Sequence, residues 1–537
     1  MSEGLIAHPC ILSGLAVVVS MAVVVSEVVV GPDTGESSSG KALARGCDSE
    51  GVRRALVLLV VVAVAVVGVA VASTRSRVAA RPAAAVAAWS SPQVLVPASQ
   101  YASNPQLAVS EQGATLAAWA GPPEPQPARG KGAARVSSDR PSATRQPFSG
   151  SSVVVDTGTV SGGFGAPVVL AEHAADTNHG LDIAISGTGV RYVAWETYAG
   201  SWMIESAASG GSFSAPHALP TARYQPLRLV QSPAGPVAAV WFASIGETPL
   251  LRYALLHPDG TLGRTITVGR WSNTSPEGTP FALNDRGEFA ALDMVGRSEE
   301  GTIPPAPLVH ICNPAGRCSR PHELQFGHNR AKVDENQAIA LCNDGTVTVL
   351  AGFSEEPTPP DRPLGFWAAV RRPGKRWSAP QEISNGGESP LAACDGNSSA
   401  VTVFQHFWTP KRQWIGDRIE TSVLHAAGTR FATPDLVRGA EAGQPVALAT
   451  TMNGGLLVAW VNSGNIVGGE DKEPGVYAVI GGATHPGAPH LVTDGSTSDE
   501  TPTAGIDSDR QGVILWTGST QEPYRDAGVY ASAFGVP

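Results

Sequence analysis

Charged side chains are scarce in this sequence. Asp, Glu, Lys and Arg make up 16% of it, lysine occurs only six times, and the balance is −10 at neutral pH. A protein that tracks a phosphate backbone needs a surplus of cations, so nucleic acid is excluded as a partner. Cysteine is sparse too. There are six, and no two form a C-x-x-C pair, which excludes zinc-ribbon and thioredoxin-like chemistry. G-x-S-x-G, H-E-x-x-H and P-loop patterns are absent, so the corresponding hydrolase and nucleotide chemistries have no basis here. No metal and no cofactor is expected.

Glycine and proline are plentiful, with 60 and 43 residues, and 42% of the chain is apolar. That mixture suits many short strands joined by tight turns, not helices. The 537 residues far exceed what one small core needs.

The N-terminus stands apart. Arg53 and Arg54 precede an apolar run from Ala55 to Ala72, and Ala70-Val71-Ala72 matches an A-x-A cleavage site. Residues 52–73 therefore read as a secretory signal peptide or, if uncut, as a hydrophobic helix (55–72) anchoring the chain in a membrane. Residues 1–51 precede that signal, and synthesis starting at Val52 would account for them. A linker at 74–85 would lead into the folded part.

From there the chain repeats itself. NPQLAVSEQGATLAAW (104–119), HGLDIAISGTGVRYVAW (179–195), QPLRLVQSPAGPVAAVW (225–241), TPFALNDRGEFAALD (279–293), NQAIALCNDGTVTVLA (336–351), SPLAACDGNSSAVTVF (389–404), QPVALATTMNGGLLVAW (444–460) and TPTAGIDSDRQGVILW (501–516) share one plan. Each is an apolar strand, a turn with glycine and a second apolar strand. The turn glycines are Gly113, Gly189, Gly235, Gly287, Gly345, Gly396, Gly455 and Gly512. Two further strands follow most copies, as in MIESAASGGSFSAPHAL (203–219), FWAAVRRPGKRWSAPQEI (366–383) and SVLHAAGTRFATPDLV (422–437). A proline in the fourth strand fits an outer edge, where a missing N–H is tolerated.

A four-stranded sheet with two apolar faces buries both only between like neighbours. The expected fold is therefore all-β, a single β-propeller of about eight four-stranded blades over 86–537. Seven is the alternative if 389–404 is not a blade. The last copy ends in a third strand, GVYASAFGVP, and AAWSSPQVLVPAS (87–99) supplies a lone fourth strand. Together they would complete one blade and close the ring. The polar stretch 121–150 reads as a disordered loop within the first blade.

CNPAGRC (312–318) encloses a Pro/Gly turn, so Cys312 and Cys318 are expected to bridge a hairpin. Cys342 and Cys394 occupy near-equivalent points of successive repeats and pair if those strands are neighbours. Trp119, Trp195, Trp241, Trp460 and Trp516 recur at the end of the second strand, as packing between blades or as a sugar-stacking platform. DSDRQG (507–512) reads as a tight turn, because a calcium loop's later ligands are missing.

The hairpin SAASGGSF (206–213) resembles a worn Asp-box, the repeat of sialidase-like (BNR) propellers, with Ala208 in the aspartate position. RRPGKRW (371–377) and HAAGTRF (425–431) are fainter echoes. The likeness implies the fold. No Arg-Ile-Pro element occurs and no arginine triad can be matched, so it implies no sialidase site.

The loops after second strands and before first strands share one face in a propeller, and here they carry many of the large polar residues. His179, Arg330, Trp414, Glu500 and Tyr524 are the candidate binding residues there. Glu172, His173 and His406 are the candidate acid/base groups. The expectation is a monomeric, secreted or cell-envelope module that binds an extracellular protein or glycan through this face. The alternative is a sialidase-like glycoside hydrolase or lyase with a different active site.

Overall fold

The computed structural model describes residues 88–97, 102–121, 151–174, 180–197, 199–220, 226–245, 248–271, 279–295, 306–326, 331–355, 362–396, 398–408, 414–441, 443–462, 475–493, 498–499, 502–519 and 527–535. The chain divides into two compact units, Met1–Ala84 and Ala85–Pro537. The proposed leader, signal or anchor helix and linker lie outside the described residues up to position 85. Residues 122–150 lie outside them too, and Gly121 ends a strand. No helix long and apolar enough to cross a membrane occurs among the described residues.

Eight antiparallel sheets follow one another along the second unit. Blade 1 comprises Ser103–Val109, Ala114–Gly121, Ser151–Thr159 and two outer pieces, Gly163–Phe164 and Val168–Ala174. Blade 2 is Leu181–Ile185, Arg191–Glu196, Trp202–Ala207 and His217–Ala218. Blade 3 is Leu227–Gln231, Val237–Ile245, Thr248–Leu255 and Ile266–Arg270. Blade 4 is Phe281–Leu283, Phe289–Val295, Ala306–Cys312 and His322–Glu323. Blade 5 is Ala331–Leu341, Val347–Glu355, Arg362–Arg371 and Gln381–Ser384. Blade 6 is Gly387–Cys394, Ala400–Trp408, Trp414–Leu424 and Asp435–Glu441. Blade 7 is Gly443–Thr450, Gly455–Asn462, Gly475–Gly482 and His490–Leu491. Blade 8 combines Thr503–Ile506, with Ser498–Asp499 beside it, Gly512–Ser519, Ala527–Phe534 and the N-terminal strand Gln93–Val96.

That N-terminal strand pairs with the C-terminal one, Gln93 opposite Ala531 and Val94 opposite Tyr530. The ring is thereby fastened by both ends of the propeller chain. The segment 389–404 forms the inner two strands of blade 6, so there are eight blades and the seven-blade alternative falls.

The core is a circle of inter-blade layers. Buried clusters join blades 1 and 2, 2 and 3, 3 and 4, 4 and 5, 5 and 6, 6 and 7, 7 and 8, and 8 and 1. Second strands are covered on both faces, which is why they read as nearly unbroken apolar runs. The five recurrent tryptophans are at most 3% exposed, so they pack between blades. Proline stands just before or within six of the first strands, at positions 105, 226, 280, 390, 445 and 502. These strands form the inner edge of each sheet, where a missing N–H leaves no ladder bond unmade.

Two hairpins recur with fixed hydrogen bonds. In the turn between first and second strands, the opening N–H donates to a carbonyl four residues on, as from Ser110 to Ala114, Asn284 to Glu288 and Asp507 to Gln511. The left-handed position of the seventh turn is Gly454, not Gly455, and in the eighth it is Arg510 (φ 62°), not Gly512. Gly235 is not left-handed. A Cβ there would lie 2.4 Å from Asp285 Cα, so glycine is needed to let the neighbouring turn approach.

In the outer hairpin, between third and fourth strands, an N–H donates back across the turn: Gly165 to Thr157, Ser214 to Ser206, Gly263 to Leu255, Ser319 to Ile311, Ser378 to Val370 and Ala432 to Val423. The residue just before each donor is Phe164, Phe213, Leu262, Cys318, Trp377 or Phe431. In blade 4 a disulfide, Cys312–Cys318, holds that position. The second disulfide, Cys342–Cys394, joins blades 5 and 6 as expected.

Candidate functional site

A propeller offers its channel at two mouths. At the mouth formed by the short inner turns, each turn is tied to the next. Gly187 donates to Gly235 O (2.7 Å), Ala234 N–H to Asp285 Oδ1 (2.8 Å), and Asp285 N–H to Asn343 Oδ1 (2.9 Å). The Cys342–Cys394 bridge, Thr450 Oγ1 to Cys394 O (2.6 Å), Asn453 Nδ2 to Ser508 O (3.3 Å) and Ser508 N–H to Glu111 O (3.0 Å) carry the chain of contacts onward. Gln231 of blade 3 completes it. It accepts from Ile185 N–H in blade 2 (3.0 Å) and donates to Val109 O in blade 1 (2.9 Å).

Met452 of blade 7 reaches across this mouth. Its N–H donates to Glu111 Oε1 in blade 1 (2.8 Å), and its Sδ receives Asn343 Nδ2 from blade 5 (3.4 Å). Blades 1 and 5 stand opposite each other in an eightfold ring, so Met452 links turns from both sides of this mouth. Burial raises the Glu111 pKa, and the nearby Asp285 and Asp507 charges add to the effect. Asp507 Oδ1 accepts from Asp509 N–H (3.0 Å) and Gln511 N–H (2.8 Å), which makes it a turn cap, as expected. Among the described residues, no cluster of His, Cys, Asp and Glu is arranged to hold a metal ion.

The other mouth is where first strands begin and second strands end. On the inner strands of blades 2 and 3, the buried Asp182 carboxylate accepts from Leu229 N–H (2.8 Å), Ile183 N–H (3.0 Å) and Arg228 Nε (3.0 Å). The Arg228 side chain is 53% exposed, so its guanidinium is oriented at the root and solvated at the tip. At the end of the second strand of blade 2, Glu196 is half-buried and burial raises its pKa.

The residues singled out from sequence fall in different places. Glu172 is exposed on the outer strand of blade 1, away from the inner edge. His173 lies on the same strand, and its side chain is outside the described residues. His406, on the second strand of blade 6, pairs through Nδ1 with Glu420 Oε1 at 2.9 Å, both side chains being mostly buried. Glu172 and His406 thus belong to different blades. Trp414 opens the third strand of blade 6 opposite Trp408, but its side chain is outside the described residues. His179, Arg330, Glu500 and Tyr524 lie outside the described residues altogether.

Sequence reasoning missed Glu420, Asp182 and Arg228. Glu420 pairs with His406 by a diagonal across two neighbouring strands, fourteen positions apart in sequence. Asp182 and Arg228 occupy the same position of successive repeats, which is the one signal that could have found them.

No protein-family model and no curated protein matches the chain. Solved structures resemble it in fold. The BP39L lectin from Burkholderia pseudomallei is 11% identical, with 75% of this chain and 100% of that one covered and a TM-score of 0.42. A PL25 polysaccharide lyase, an ulvan lyase, is 8% identical over 66% and 93% of the two chains, TM-score 0.40. The β-propeller domain of the Trilobed protease from Pyrococcus furiosus is 8% identical over 66% and 95%, TM-score 0.40.

Proposed function

We propose that this propeller is an exported glycan-binding module whose ligand enters at the mouth opposite Met452. The contacts of Met452 with blades 1 and 5 support this reading, because a turn that spans one mouth favours entry of a ligand at the other. Arg228 supplies donors at that end, oriented by Asp182 and still half-solvated, which suits the hydroxyls and ring oxygens of a sugar. His179, Arg330, Trp414, Glu500 and Tyr524, in the loops on this side, are the proposed further contacts. Two disulfides fit an oxidising compartment outside the cell.

The test is a glycan array with the full chain, followed by titration of any hit against Arg228→Ala. Binding weakened about tenfold in a variant of unchanged thermal stability supports the site. An empty array, or a hit indifferent to Arg228, refutes it.

A second reading rests on His406. A carboxylate on Nδ1 fixes the tautomer and orientation of an imidazole, which is what a general base in a lyase or hydrolase needs. Turnover of uronate-containing polysaccharides, lost in His406→Ala, would favour an enzyme over a binding module.

A further inference from the structure

Arg371 ends the third strand of blade 5 and Arg372 follows it, and the alternation of an extended chain sends the two to opposite faces. Arg372 turns toward blade 6 and is held by that blade and by the inner turn of its own. Its guanidinium donates to Gly428 O (2.8 Å), His425 O (2.7 Å), Thr346 Oγ1 (2.9 Å) and Ser398 O (2.5 Å). Arg371 turns toward blade 4, where a groove of about 510 Å³ runs between the two blades. That volume is within the ~300–1,000 Å³ range of ligand clefts.

The groove is strongly cationic. Arg320 from blade 4 and Arg371, Lys375 and Arg376 from blade 5 line it. Among the described residues no carboxylate forms an ion pair with any of the four. The stretches 313–322 and 369–380 that bear them contain no Asp or Glu, in a chain whose net charge is −10, and the carboxylate that follows on this face, Glu382, stands farther along the blade opposite Trp367. Glu323 follows His322 on the outer strand of blade 4, so it falls on the opposite face.

The floor differs from the rim. Val309 and Ile311 supply an apolar base, and His322 and Trp377 stand near-parallel at 13° with ring centroids 5.8 Å apart. Both walls are held rigid. The Cys312–Cys318 bridge pins one hairpin, and the Ser378–Val370 bonds (2.8 and 3.0 Å) pin the other. Cations around an indole suit a ligand that is flat and apolar on its ring faces and negative at its substituents.

We infer that the groove between blades 4 and 5 binds an anionic polysaccharide, with carboxylate or sulfate groups on Arg320, Arg371 and Arg376 and a sugar ring against Trp377. Arginine forks match both anions bidentately. A sugar's apolar face stacks on an aromatic ring, a surface that a phosphate headgroup does not use. This site is separate from the channel mouth and does not rest on the reading given for it.

The experiment titrates the full chain with polygalacturonate, dextran sulfate and neutral dextran at low and high salt. Binding to at least one anionic polymer and not to dextran is expected, and the preferred polymer tells carboxylate from sulfate recognition. The pair Arg371→Ala/Arg376→Ala should weaken it about tenfold or more. The pair Arg264→Ala/Arg270→Ala removes equal charge from exposed positions on blade 3 and should change it less than about twofold. Trp377→Phe, a residue that blades 1 and 2 already carry at this hairpin position, should stay folded and bind about threefold less tightly. Arg228→Ala should leave this binding unchanged, so the two sites fail or stand independently. No binding to either anionic polymer, equal loss in both arginine pairs, or equal affinity for anionic phospholipid vesicles or a DNA oligomer would overturn the inference.

Discussion

The carboxylate of Glu111, in blade 1, accepts the backbone N–H of Met452, in blade 7, at 2.8 Å. The bond joins the inner turns of two blades that are not neighbours, blade 8 lying between them in the ring. Glu111→Ala would leave a half-buried N–H without its acceptor and is expected to cost about 1–3 kcal/mol. Glu111→Gln keeps an acceptor oxygen and should cost less. Thermal unfolding of both variants is the check, and equal losses would mean that this bond contributes nothing.

Arg372 and Arg371 give an internal contrast. Arg372→Ala removes a guanidinium from four acceptors and should destabilise by about 3 kcal/mol, with Arg372→Lys recovering little because an ammonium cannot span them. Arg371→Ala should stay within about 0.5 kcal/mol. Denaturant midpoints of the three variants measure the difference.

The disulfides should differ in weight. Cys342–Cys394 closes a loop with a sequence separation of 52, whereas Cys312–Cys318 spans 6. Chain entropy alone gives about 4 kcal/mol for the first and about 2 kcal/mol for the second. Paired Cys→Ser variants, compared by thermal melts under non-reducing conditions, should rank in that order.

Two buried groups should tilt stability against pH in opposite directions. Burial pushes the Glu205 carboxyl up to about 7 from its ordinary 4.5. Between those values the native state binds more protons than the unfolded one, so this group's contribution falls as pH rises through the window. Burial pushes the His310 imidazole down to about 4 from 6.5, against a smaller upward pull from the Val268 backbone. Here the unfolded state binds more protons, and stability is lost as pH falls from 6.5 toward 4. Glu205→Gln should remove this decline of the melting temperature between pH 4.5 and about 7. His310→Phe, which keeps a ring against Trp271, should flatten the acid side.

Much of the architecture was legible in the chain itself. Alternating apolar strands, glycine turns and prolines at sheet edges are local signals, and eight copies in a row imply eight sheets that can hide their faces only against each other. The orphan strand near Val94 and the unfinished blade near Tyr530 implied the closure, and the repeat phase of Cys342 and Cys394 implied their bridge. The site was far less legible. Whether Arg371 meets solvent or Arg372 does, whether Met452 reaches across a channel mouth, and whether His406 finds a carboxylate are set by residues some fourteen to several hundred positions away. A strand pattern states which residues are buried. Only the packing of one blade on the next, and of opposite turns across the axis, decides what each polar side chain meets there.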